Sequence, residues 1–238
     1  MRNRRPHPVF TALLIIGVAL ILAALYFIYP WLRTRGARLV IWREWFSNTQ
    51  AHPEWNIQAG QRCGDAPFVM PTDGFVGFLW GDSFRVGHSH SGIDIFGGQA
   101  PGETPVVAAY SGYLTRLTDW KSTVIIRIPN DPLNPGRQIW TYYTHMADVK
   151  GNSFIVEDFP AGTSEVYVEA GTLLGYQGNY AGDSLTPTGI HLHLSIVLDD
   201  GQGHFRNETK IANTLDPSPY LGLRLNAAEN PDEVVVCP

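Results

Sequence analysis

Twenty-five consecutive residues without a charge, Pro8 to Leu32 (PVFTALLIIGVALILAALYFIYPWL), constrain this 238-residue chain more than any other feature. The run exceeds the roughly 20 residues needed to cross a bilayer core, and a helix keeps every backbone group of such a span satisfied. Tyr26, Tyr29 and Trp31 gather at its far end, where aromatic rings favour the headgroup region. It is longer than the apolar core of a signal peptide, and no small-x-small cleavage site follows at once. Residues 1–7 are therefore expected to form a cytoplasmic tail, 8–32 a single membrane-spanning anchor and 33–66 a juxtamembrane segment. Arginines flank both ends of the run. Arg2, Arg4 and Arg5 favour a cytoplasmic N-terminus, while Arg33, Arg35 and Arg38 pull the other way.

The rest of the chain is acidic. Setting aside residues 1–45, with seven arginines and Glu44, leaves 10 basic and 21 acidic residues. Such a body repels a phosphate backbone, which excludes nucleic acid as a partner. Nothing in the sequence singles out a protein partner. Cys63 and Cys237 lie near the two ends of the soluble part, as a disulfide joining its termini would require; two unrelated thiols are the alternative. A bridge would persist only outside the cytoplasm, so the body is expected outside the cell membrane.

From about Pro67 the pattern is β. Short runs rich in β-branched and aromatic residues (TPVVAAY, GYLTRL, STVIIRI, QIWTYYTH, SEVYVEAG, IHLHLSIVL) are divided by turn signals. PNDPLNPG, residues 129–136, reads as a hairpin connection. The pattern predicts an all-β domain, an antiparallel β-sandwich or open barrel, over residues 67–222, with 223–238 as a C-terminal tail.

Two histidine patterns carry chemistry. In IHLHLSIVL, residues two apart share a face, so His191 and His193 project together while Ile190, Leu192 and Leu194 face a core. In GHSHSGIDIFG, His90 and Asp94 would stand roughly 13 Å apart at their α-carbons if fully extended. Ser91 and Gly92 let the chain bend between them, and the alternation of Ile93, Asp94 and Ile95 suggests a strand with Asp94 on the site face. His88 has Gly92, not an acid, at the matching spacing, and is expected on a rim. By parity along its strand, Tyr143 would share the face of His145 and line a groove, or else simply pack. Asn207-Glu208-Thr209 fits a glycosylation acceptor.

Together these segments resemble the M23 family of zinc metallopeptidases, the lysostaphin- and LytM-like peptidoglycan endopeptidases. HSGID at 90–94 matches the family's H-x-x-x-D signature and HLH at 191–193 its H-x-H, with YTHMA around His145 between them. AGTLLGYQGNYAG at 170–182 and DPSPYL at 216–221 resemble its glycine-rich approach and closing segment. The resemblance implies zinc ligands His90, Asp94 and His193, with His145 and His191 as catalytic histidines and a peptidoglycan peptide as substrate. Joined to the apolar run at 8–32, it implies a membrane-anchored endopeptidase acting through a zinc-activated water, with a catalytically silent wall-binding or regulatory module as the alternative. Such modules typically lack a ligand. The chain departs from the family after H-x-H, where Leu194 and Ser195 replace the frequent Phe-Glu. The usual zincin pattern H-E-x-x-H is absent.

Overall fold

The computed structural model describes residues 8–82, 88–182, 186–230 and 232–237, with side chains of 8–12 and 27–37 left aside. The tail expected at 1–7 lies outside the described residues. Helix α1 spans Pro8–Ser47. Its described apolar side chains from Leu13 to Tyr26 are mostly exposed. Among the described residues, no helix is both long and apolar enough to cross a membrane.

The end of α1 belongs to the domain. Trp45 is buried, stacks on Phe75 at a centroid distance of 5.2 Å, and donates its indole N–H to Asn56 Oδ1 at 3.0 Å. Trp42 and Phe46 meet the edge of Phe96. Arg38 is buried and donates to the carbonyl of Asn230. The stretch expected as juxtamembrane thus contributes a packed aromatic layer. Its sequence shows no sustained period because the layer draws on a helix end, a turn and a strand.

Eleven short strands are described: β1 (Asn56–Ile57), β2 (Gly74–Phe78), β3 (Ile93–Phe96), β4 (Pro105–Val107), β5 (Gly112–Thr115), β6 (Val124–Ile128), β7 (Ile139–Thr144), β8 (Val166–Val168), β9 (Leu173–Tyr176), β10 (Leu192–Leu198) and β11 (Thr214–Leu215). All pair antiparallel, in the order β1-β2-β3-β10-β7-β6-β5-β8, with β11 beside β10 and β4–β9 as a separate ribbon. The expected antiparallel β architecture is found, as one large sheet faced by a two-stranded ribbon. Alternation explains the core: Ile93, Ile95, Leu192, Leu194, Ile196, Val124 and Ile126 point to one face, where Val106 and Leu174 of the ribbon meet them. The domain begins before Pro67, since β1 is its first strand.

The 129–136 loop connects the hairpin β6–β7. The C-terminal residues do not trail as a tail. Leu225, Ala227 and Val235 are buried, Trp80 exchanges backbone hydrogen bonds with Leu225 and Ala227, and Cys237 is joined to Cys63 by a disulfide.

Candidate metal centre

Three neighbouring strands place the site. On the antiparallel ladders, His193 of β10 lies opposite Asp94 of β3 and opposite Thr144 of β7, so all three side chains share one face. His191, two positions before His193, keeps to that face and enters the sheet through a bridge to Gly178. The loop to Asp94 runs close over β10. A Cβ at Gly92 would stand 2.2 Å from the Leu194 carbonyl oxygen, so glycine is needed there for close approach. This closes the extended span, and His90 Nε2 comes to 3.1 Å from Asp94 Oδ1.

The proton inventory shows what the cluster can hold. His90 Nδ1 lies 2.9 Å from the Leu79 carbonyl, which can only accept, so the proton sits on Nδ1 and Nε2 carries a lone pair. That lone pair lies 2.9 Å from His193 Nδ1, which in turn lies 2.9 Å from Asp94 Oδ1. The other nitrogen of His193, Nε2, has Ser195 Oγ at 2.8 Å. Two imidazole nitrogens and a carboxylate oxygen thus converge in a buried spot, as a cation requires. Ligand bonds of about 2.0–2.1 Å in a tetrahedron set the ligand atoms roughly 3.3 Å apart, close to what is seen. His90, Asp94 and His193 could therefore hold a metal ion. Without a cation, a proton relieves the crowding. Burial alone would raise the Asp94 carboxyl, but His90 and His191 outweigh it and hold the group well below its ordinary value. Burial alone would lower His90, and Asp94 carries it above its usual value.

His145 and His191 flank the cluster, with ring centroids 4.5 Å apart. His191 Nδ1 lies 2.7 Å from the Gly189 carbonyl, and its Nε2 is 3.5 Å from Asp94 Oδ1. His145 Nδ1 donates to the Tyr180 carbonyl at 2.7 Å, which leaves Nε2 as an acceptor. Burial, then the nearby His191, lowers the His145 pKa to about 3, so the ring is neutral at physiological pH. These rings open into a cleft of about 580 Å³ walled by Trp120, Tyr142, Tyr180 and Glu208.

Tyr143 does not line that cleft. It is fully buried in the main core, where its hydroxyl accepts the Ala109 N–H at 2.8 Å. Its neighbours Tyr142 and Thr144 face the cleft instead. Parity fails because His145 has a φ of 76°, which turns its ring out of step with β7. Gly178 packs against this turn; a Cβ there would stand 2.1 Å from the Ala147 carbonyl oxygen. His88 lies on the cleft wall, as its spacing suggests. Sequence reasoning missed Glu208, whose Oε2 lies 3.9 Å from His193 Nε2. It sits 15 positions from that histidine, and the motif that contains it, Asn207-Glu208-Thr209, points to no role at a metal.

No family profile and no curated protein matches the chain. Solved structures do resemble it. The catalytic domain of the antimicrobial peptidase lysostaphin from Staphylococcus simulans is 22% identical, over 61% of this chain and 90% of that one, with a TM-score of 0.40. A putative peptidase M23 from Pseudomonas aeruginosa is 22% identical over 76% of this chain and 60% of that one, with a TM-score of 0.38. The catalytic domain of the prophage-encoded M23 protein EnpA from Enterococcus faecalis is 22% identical over 63% of this chain and 96% of that one, with a TM-score of 0.36. All three of these neighbours are peptidases or their catalytic domains, and two are described as M23 proteins.

Proposed function

We propose that the protein is a zinc-dependent endopeptidase that hydrolyses peptide bonds of peptidoglycan, held at the outer face of the cell membrane by its N-terminal helix. The observation that carries this reading is the convergence of His90 Nε2, Asp94 Oδ1 and His193 Nδ1 beside two further histidines in an open cleft. Two imidazoles and one carboxylate suit zinc and leave it a free coordination position. Zinc held there would supply a Lewis acid for the peptide carbonyl and lower the pKa of water.

The chain's own groups do the rest. Asp94 and the two ligand imidazoles orient the centre. His145 is neutral, with its Nδ1–H occupied by Tyr180, and leaves Nε2 as a hydrogen-bond acceptor that can orient water or substrate in the cleft. His191 presents Nε2 to the same space and can bind or move a proton beside the reacting carbonyl. Trp120, Tyr142 and Tyr180 give an extended peptide apolar walls. Anchoring is supported by the uncharged run from Pro8 to Leu32 and by the exposure of Leu13, Leu14, Ile15, Leu20 and Ile21, since a helix apolar all round needs an apolar surrounding. The disulfide supports an oxidising compartment.

The test uses the full chain in detergent with purified peptidoglycan, reading bound zinc and released muropeptides. The wild type should hold about one zinc per chain and open peptide cross-links, and His193→Ala should lose both. His145→Ala should keep the metal and lose most turnover. Wild-type protein that binds no zinc would instead favour a silent wall-binding module.

A further inference from the structure

We infer that Glu208 is a positioning residue for His193, its charge biasing that imidazole toward the tautomer that turns a lone pair to Asp94 and His90. The inference rests on the metal-centre reading above. For Nδ1 of His193 to serve as a donor atom, the ring proton must sit on Nε2. The nearest group to Nε2 is Ser195 Oγ at 2.8 Å, in a side chain that is fully buried. A hydroxyl cannot decide the matter, because it can accept from Nε2 or donate to it. Donation would put the ring proton on Nδ1, on the lone pair that a cation needs.

A carboxylate removes the ambiguity, because it only accepts. Glu208 Oε2 stands 3.9 Å from His193 Nε2, too far for a direct hydrogen bond but close enough for its charge to favour a proton there. The carboxylate is held in place. Ser91, buried beside the ligand His90, approaches Oε2 with its hydroxyl at 3.3 Å. The turn carrying Glu208 is closed by Asn207, whose Oδ1 accepts from the Thr209 N–H at 3.0 Å and its hydroxyl at 2.7 Å. Glu208 therefore sits behind both ligand-bearing segments at once. The charge also reaches Tyr142 across the cleft, whose hydroxyl is pushed up by burial first and then by Glu208.

Two variants of the full chain separate charge from shape. Glu208→Gln keeps an acceptor for Ser91 but removes the charge; Glu208→Ala removes both. The readouts are the His193 tautomer, from imidazole ¹⁵N shifts of metal-free protein, and the zinc Kd by chelator competition. In metal-free protein Asp94 draws the ring proton toward Nδ1 and Glu208 draws it toward Nε2, so the tautomer ratio reports their balance. Both variants should move that ratio toward Nδ1–H and weaken zinc about 10–100-fold, the usual cost of losing such a partner. If Glu208→Gln matches the wild type in both readouts while only Glu208→Ala suffers, the role is structural and the inference is overturned. Were the wild type to bind no zinc, the endopeptidase reading would fail, but the tautomer shift in Glu208→Gln would still decide this inference.

Discussion

At His145 a single backbone angle turns the ring out of step with β7, so that it shares the cleft with Tyr142 and Thr144 while Tyr143 points into the core. A non-glycine residue at positive φ carries a local cost that the surrounding packing must offset. The same packing keeps the ring neutral, with a pKa lowered to about 3. The folded ring thus binds its proton more weakly than the unfolded ring, whose ordinary value is near 6.5. Folding stability is then lost as pH falls from about 6.5 toward 3. Between pH 7 and pH 5, urea unfolding in chelator should show wild type losing roughly 1–2 kcal/mol more than His145→Gln, with the smaller figure for a ring edge open to the cleft. Equal losses would mean that His145 is not held neutral.

Among the elements, β10 and the end of α1 contrast in how much of their role is local. The alternation in β10 could be read directly, because a strand with a core face must place His191 and His193 together on the other. The end of α1 was not legible in that way. Trp42 and Trp45 stand three apart, as neighbours on one helix face do, but too few residues share the spacing to mark a surface, and their partners Phe75 and Phe96 come only from β2 and β3. Trp45→Ala would remove a buried indole and leave Asn56 without its donor. A loss of about 3–5 kcal/mol is expected in chemical unfolding of the domain. A loss under about 1 kcal/mol, well below that range, would show that helix and sheet are not coupled.

Over the whole molecule, the chain is closed on itself by Cys63 and Cys237, 174 positions apart. Cross-linking so long a loop restricts the unfolded chain, so Cys237→Ser should lower stability by about 2–4 kcal/mol under oxidising conditions and change nothing under reducing ones. The buried Leu225 and Ala227 should keep the C-terminal segment seated in that variant, as hydrogen exchange would reveal. By itself the sequence determined what depends on local period and spacing: the uncharged span, the antiparallel strands, and the histidines and aspartate that share a strand face. Only the tertiary structure decided which tyrosine shares the cleft with His145, where α1 docks, and that Glu208 stands behind His193. Those outcomes depend on one backbone angle and on contacts between residues far apart in the chain, and no local pattern encodes either.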